Sequence, residues 1–147
     1  MKEMHPRHIG FELRQVANII RREIDNAVGK RNIEKLTGMQ GRLIGYLCHN
    51  GEKEIFQRDI EAEFSIRRST ATNILQTMEK HGLIKRAPVE YDARLKRILP
   101  TDIAVTRHKI FEEEINRVEN QVLNGITKKE ADTLLSILDK IKKNLGE

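Results

Sequence analysis

Basic and hydrogen-bonding side chains are concentrated in one stretch of the chain, between Ser65 and Leu99. This stretch holds eight basic and three acidic residues, whereas the whole chain holds 27 and 22. The net charge of +5 therefore lies entirely here, and the basic and acidic residues elsewhere cancel. A basic face confined to one region is typical of a protein that binds a polyanion. Charge alone leaves open the alternative of a solvated surface that happens to be basic.

The first part of this stretch, residues 66 to 81 approximately, is predicted to be a helix that can recognise duplex DNA. Such a helix fits the major groove, and the residues near its N-terminus contact the base edges. Arginine can donate two parallel hydrogen bonds to guanine, and hydroxyl and amide groups can bond to bases or phosphates. The candidates on this helix are Arg67, Arg68, Ser69, Thr70, Thr72 and Asn73. Their spacing does not decide which of them read bases, because rotating the helix by one residue exchanges base readers and phosphate contacts.

The second part, about residues 83–101, is predicted to form a two-stranded β-hairpin, or wing, with its loop near Glu90 to Arg94. Arg94 can enter the narrow minor groove, where the potential is most negative. Asp92 would repel phosphate, so we expect it to hold Arg94 or another arginine by a charge-assisted hydrogen bond. The alternative is an exposed ion pair of little energetic value. The further candidates for phosphate contacts are Lys96 and Arg97, together with either Lys85 or Arg86.

In a helix-turn-helix, a shorter helix and a turn precede the recognition helix. The residues between Gln57 and Ser65 are predicted to form both. Ser65 is predicted to cap the N-terminus of the recognition helix, and Gly82 to end it with a positive φ. Helix, turn, helix and wing in this order are the outline of a winged helix-turn-helix. The predicted fold class is mainly α with a small β-wing, and residues 33–101 form the winged helix-turn-helix lobe.

Amphipathic helices flank this lobe on both sides, in residues 1–32 and 102–147. Their apolar side chains recur at steps of three and four, and Thr127 with Glu130 matches a capping box before the last helix. The apolar seam of that helix consists of Ala131, Leu134, Leu135, Leu138, Ile141 and Leu145. These stripes are broad for a single small domain, so we expect the flanking helices to form the dimerisation region of a homodimer.

In their order and spacing, several of these segments resemble the MarR family, the multiple antibiotic resistance regulators. The segments are Leu36-Thr37 with Gln40 and Leu43, Phe64-Ser65-Ile66, Glu79 to Arg86, Asp92-Ala93-Arg94, Leu99-Pro100-Thr101, and Gly125-Ile126-Thr127 with Glu130. The resemblance implies a sequence-specific transcriptional regulator that binds double-stranded DNA, and in particular a homodimeric repressor of a pseudo-palindromic operator that a ligand releases. It implies the same roles for Arg94 and Asp92. Leu95 departs from the family pattern, which often has glycine there, and so do Asp102 and Ile103 after Thr101.

The resemblance also implies a small phenolic or other aromatic effector, bound near the first, second and fifth helices. Arg14, Tyr46 and His49 are possible polar groups there, and no ligand residue is assigned. Cys48 is expected to be a buried, inert thiol, because peroxide-sensing relatives usually place their cysteine in the first helix. Cys48 and His49 are too few for a metal site, so no metal and no cofactor are predicted.

The sequence shows no pattern typical of an enzyme or of a membrane protein. It has no glycine-rich phosphate loop, no credible triad and no apolar run that approaches the roughly 18 residues of a membrane span. A single cysteine and the absence of a signal-peptide pattern lead us to expect a cytoplasmic protein. A winged-helix module that binds an acidic protein partner is the alternative function, and steep salt-dependent binding to a palindromic duplex would separate the two.

Overall fold

The computed structural model describes residues 7–31, 34, 36 and 38–147. Its elements are α1 (Ile9–Lys30), α2 (Gly38–His49), α3 (Gln57–Phe64), α4 (Arg68–Lys80), β1 (Ile84–Val89), β2 (Asp92–Pro100), α5 (Asp102–Val122) and α6 (Lys128–Asn144). The predicted fold class, mainly α with a two-stranded wing, is confirmed. Thr37, which resembles part of the family's second helix, lies outside the described residues. None of the described helices combines the length and the apolar character that crossing a membrane requires.

The chain divides into two compact units. The first unit, Asp25–Glu112, contains the end of α1, the whole of α2, α3, α4 and the hairpin, and the beginning of α5. The second unit combines the earlier part of α1 with Glu113–Glu147, which holds the rest of α5 and α6. The winged helix-turn-helix therefore lies within the first unit.

Apolar residues from α2, α3, α4, both strands and α5 meet in one core. The side chains at its centre, from α2, α3 and α4, are Leu43, Ile44, Ile60, Leu75 and Met78, and all five are fully buried. Ile84 and Ile98 bring the base of the hairpin into the same core, and Ala104 brings α5 into it. Because each element buries one face here, the opposite face of α4 is left available to solvent.

The antiparallel pairing of β1 with β2 begins at the core, where Ile84 lies opposite Pro100. The backbone N–H of Ile98 also donates to the carbonyl of Ile55, over 2.7 Å, which anchors β2 to the segment before α3. The base of the hairpin is therefore held against the core.

Gly82 ends the recognition helix with φ +70°, as predicted, and turns the chain into β1. The hydroxyl of Thr101 donates to the Gly82 carbonyl over 2.6 Å, and the N–H of Ala104 donates to the Thr101 hydroxyl over 3.3 Å. Thr101 thus caps the start of α5 and also joins the two ends of the wing.

Replacing Gly82 with Ala is expected to lower the free energy of unfolding by about 1 kcal/mol, because L-residues are strained at this φ. A Cβ at this position would meet no atom within 4 Å, so the loss comes from the backbone alone. Urea unfolding followed by circular dichroism measures it. Gly29→Ala is the control, since Gly29 lies in α1 with equally open space. Equal unfolding midpoints for wild type and Gly82→Ala would contradict the prediction.

In the second unit, α6 begins with the predicted capping box. The N–H of Glu130 donates to the Thr127 hydroxyl over 3.2 Å, and the N–H of Thr127 donates to the Glu130 carboxylate over 2.8 Å. No residue of α6 is buried, and Leu134 and Leu135 of its apolar seam are 50% and 60% exposed. A single chain therefore leaves this seam largely uncovered.

Candidate nucleic-acid interface

A tight turn joins α3 to α4 and sets the direction of the recognition helix. Ser65 adopts the left-handed conformation (φ 50°) and is the C-terminal cap of α3, with its N–H donating to the carbonyl of Ala62 over 3.4 Å. The prediction that Ser65 caps the N-terminus of α4 is wrong, because its backbone is used to end α3. Arg67, in extended conformation, is the N-cap residue of α4 and forms no side-chain capping bond.

α4 packs one face into the core and presents the opposite face to solvent. Ala71, Leu75 and Met78 are its buried residues, at the three- and four-residue steps of a helix. The candidate DNA-binding residues with exposed side chains are Arg67, Arg68, Ser69, Thr70 and Asn73. The first four lie at the N-terminal end of α4, which is the part of a recognition helix that contacts base edges.

Thr72, the sixth candidate on this helix, is partly buried and already hydrogen-bonded. Its hydroxyl donates to the Arg68 carbonyl over 2.9 Å and accepts from the side-chain amide of Gln57, also over 2.9 Å. Gln57 is the first residue of α3, so the second bond fastens α3 to α4. We infer that Thr72 positions the recognition helix. Sequence reasoning missed the part played by Gln57, because a contact across 15 residues leaves no periodic signal.

The turn of the wing is shorter than predicted. It consists of Glu90 and Tyr91, whereas Asp92 already belongs to β2, so the loop predicted to reach Arg94 is wrong in its second half. An irregularity in the pairing before Val89 brings that residue opposite Asp92 and allows the tight turn to close.

Arg94 projects from β2 beside the turn, and its side chain is 94% exposed. The Asp92 carboxylate accepts a hydrogen bond from the backbone N–H of Arg94 over 2.9 Å, and the same oxygen lies 3.5 Å from the Arg94 Nε. Ion pairs this exposed contribute little, so Asp92 acts mainly by fixing the backbone at Arg94. The predicted pair is present, and it leaves the guanidinium accessible.

Tyr91 fastens the tip of the wing to the body of the lobe. Its hydroxyl donates to the Glu54 carboxylate over 2.9 Å, and this hydrogen bond raises the pKa of Tyr91. Glu54 lies just before α3, 37 residues away, so no sequence pattern indicates this contact. The contact limits the directions in which the wing can point.

The other basic residues of the hairpin differ in accessibility. Lys85 and Lys96 are exposed, and Arg97 is partly buried, with its Nε enclosed and without a hydrogen-bond partner among the described residues. Arg86 donates from its Nε to the Glu79 carboxylate over 3.1 Å. Of the alternatives Lys85 and Arg86, the structure therefore favours Lys85 as the side chain that can reach a phosphate.

The residues considered for an effector or a redox role belong to α1 and α2. Tyr46 packs edge-on against Phe64, with ring centres 5.8 Å apart, and burial raises its pKa. Burial, and secondarily the charge of Glu112, raises the pKa of the Cys48 thiol, which favours the inert thiol over a reactive thiolate. Arg14 belongs to the second unit, and Tyr46 and His49 belong to the first.

A helix-turn-helix with an exposed basic recognition helix, followed by a tethered hairpin, defines the class of winged helix-turn-helix proteins. The sequence model of the MarR family matches residues 35–95. The transcription regulator MarR from Oenococcus oeni PSU-1 is 34% identical, with 92% of this chain and 99% of that chain covered and a TM-score of 0.60. The chain belongs to the MarR family, whose members are transcriptional regulators.

Other similar proteins share the fold or match part of the sequence. The heme sensor protein PefR from Streptococcus agalactiae, solved in complex with heme, is 27% identical over 95% of both chains, with a TM-score of 0.72. MepR from S. aureus, solved bound to ethidium bromide, shares the fold at 21% identity, with 95% and 97% of the chains covered and a TM-score of 0.73. The uncharacterized HTH-type transcriptional regulator YybA of Bacillus subtilis (strain 168) is 24% identical over 91 residues, or 62% of this chain. The match spans 61% of that relative's length.

Proposed function

We propose that this chain is a sequence-specific, double-stranded-DNA-binding repressor that acts as a homodimer on a pseudo-palindromic operator. The observation that carries the proposal is the position of the net positive charge. All of it falls on α4 and the hairpin, and the side chains concerned are largely exposed. Neutralising phosphates with such a face supplies affinity for any duplex, and base contacts add sequence preference.

In this proposal each α4 enters the major groove of one half-site. Arg67 and Arg68 stand at the N-terminal end of α4, with long donors that reach guanine or phosphate. Ser69, Thr70 and Asn73 are exposed on the same helix and offer shorter donors and acceptors. Thr72 keeps the helix in place through Gln57 and contributes to DNA binding indirectly.

The wing then reaches the adjacent minor groove with Arg94. Its 94% exposed side chain and the backbone fixed by Asp92 support this placement. Lys85 and Lys96 lie on neighbouring strands of the same hairpin and would contact the flanking phosphates.

The second unit would supply the dimer interface, in keeping with the proposed dimerisation region of residues 1–32 and 102–147. The uncovered apolar side chains of α6 support it, since a second copy would remove them from water. A twofold dimer presents two equal recognition helices, and this symmetry is why the operator is expected to be pseudo-palindromic.

The proposed release of repression involves a small planar aromatic effector. PefR is a heme sensor and MepR binds ethidium bromide, and both ligands are planar aromatic molecules. A phenolic compound belongs to the same broad class. No residue of this chain is assigned to the effector.

Selection of bound duplexes from random DNA tests the proposal. The expected result is an enriched sequence with two inverted half-sites, bound with an affinity whose logarithm falls linearly with the logarithm of salt concentration. A duplex of the same composition with one half-site scrambled is the control and should bind more weakly. Equal binding to all duplexes would contradict sequence-specific recognition, and the lack of salt-dependent binding to any duplex would instead favour the acidic protein partner.

A further inference from the structure

Three side chains that can ligate metal ions meet within the first unit. His49 is the last residue of α2, whereas His108 and Glu112 lie one turn apart on α5. One ligand atom from each of the three lies within 4.8 Å of the others. His49 and Glu112 are exposed, whereas the side chain of His108 is only 13% exposed, so an ion from solvent would reach the group from the side of His49 and Glu112.

The ring of His49 is oriented with one nitrogen available for a metal. Its Nδ1 lies 2.7 Å from the backbone carbonyl of Gly45, and a carbonyl can only accept, so Nδ1 carries the proton and donates it. In the neutral ring, the lone pair then sits on Nε2. Metal-ligating histidines almost always donate their second ring N–H to a carbonyl or carboxylate in this way, which fixes the tautomer and the orientation.

His108 and Glu112 already have the separation of two ligands on one ion. The His108 Nε2 lies 3.2 Å from the Glu112 Oε1. Two ligand atoms that each stand about 2.0–2.1 Å from a tetrahedral zinc ion are about 3.4 Å apart. Helical spacing of four residues places both groups on one face of α5, so the backbone needs no change to present them together.

Gly45 allows α5 to bring the His108 ring against α2. A Cβ at this position would lie 3.3 Å from the Cε1 of His108, closer than side chains ordinarily pack. The two imidazoles meet edge to face, with ring centres 6.1 Å apart. His49 stands at the end of α2, and its ligand atom already lies within 4.8 Å of those of the pair on α5.

We propose that His49, His108 and Glu112 bind one divalent transition-metal ion, Zn²⁺ by the chemistry of the donors, with water in the fourth position. Two imidazoles and one carboxylate form a recurring zinc ligand set, and hard cations such as Mg²⁺ prefer oxygen ligands alone. The ion would join the end of α2 to the first part of α5. The sequence-based expectation of no metal found too few ligands near Cys48 and His49, and the fold adds two ligands from α5. This site does not depend on the proposed DNA binding.

Titration of the tag-free full chain with Zn²⁺ against a chromophoric chelator tests the proposal. We expect one ion per chain with a dissociation constant of roughly micromolar or tighter, and a rise in the thermal unfolding midpoint on adding Zn²⁺. His108→Gln should weaken binding by roughly 100-fold. His49→Gln, at an exposed helix end where folding is undisturbed, should weaken it to a similar extent and abolish the thermal shift.

His81→Gln is the matched control, because His81 is an exposed histidine at the end of α4, in the same unit. It should bind Zn²⁺ as the wild type does. The proposal is overturned if the wild type fails to compete with the chelator, or if His49→Gln and His108→Gln both retain wild-type affinity. Co²⁺ substitution gives an independent readout, since the wild type should show the intense visible absorption of a tetrahedral site and the two variants should not.

Discussion

Replacing Arg94 with Ala is expected to weaken operator binding by at least roughly tenfold and to lower the magnitude of the salt slope by about one unit per wing. A dimer carries two wings, so the slope should change by about two. The reason is local: the guanidinium is 94% exposed, and Asp92 bonds mainly to the backbone beside it. Removing the side chain would therefore take away the proposed DNA contact without removing a support of the fold.

Fluorescence anisotropy of a labelled operator duplex, repeated over a series of salt concentrations, measures both quantities. Arg22→Ala is the control, since Arg22 is an exposed arginine on α1 in the second unit and its loss changes the net charge equally. If Arg94→Ala and Arg22→Ala give the same affinity and the same slope as wild type, Arg94 does not contact DNA.

The elements around Arg94 were predictable from the sequence because local patterns determine them. Apolar residues spaced three and four positions apart predicted the buried face of α4, which consists of Ala71, Leu75 and Met78. Gly82 predicted the end of this helix, and it has a positive φ. The change of period after Gly82 predicted the hairpin, and the pairing of Ile84 with Pro100 confirms it. Each of these signals lies within a few residues of its effect.

The details that sequence reasoning missed depend on contacts between distant residues or on competing uses of one residue. Serine is a favoured N-cap residue, and Ser65 lies between α3 and α4, where it could cap either helix. In the structure it is the left-handed C-terminal cap of α3. Gln57 bonds to Thr72, and Tyr91 bonds to Glu54, across separations at which no periodicity exists. For the same reason, no sequence pattern places His108 and Glu112 beside His49.

The other large effect is expected from Leu134→Glu in α6, which should raise the dissociation constant of the homodimer at least roughly 100-fold. Burying one leucine side chain contributes about 1.5–3 kcal/mol to the free energy of association. A twofold interface contains Leu134 of both copies, so the substitution removes two leucine side chains from it. The substitution also places a carboxylate from each copy in an apolar contact, where an unpaired charge is costly to bury. Leu134 is 50% exposed in the single chain, so the variant disturbs the fold of the chain itself much less.

Ser136→Glu is the matched control because it adds the same charge on the far side of α6, about 200° around the helix at 100° per residue. Sedimentation velocity should show Ser136→Glu as a dimer and Leu134→Glu as a folded monomer at micromolar concentration. A dimeric Leu134→Glu at that concentration would exclude the α6 seam from the interface.

The same pair of variants connects assembly with DNA binding. A dimer that holds one half-site binds the second as an intramolecular step, so its affinity for the full operator greatly exceeds that of one lobe. Leu134→Glu should therefore lose most of its affinity for the operator while binding a single half-site as the wild-type lobe does, since α4 and the wing are unchanged. Arg94→Ala should instead weaken binding to both duplexes, because its effect lies within each lobe. This difference separates a defect in the dimer from a defect in the DNA-contacting surface.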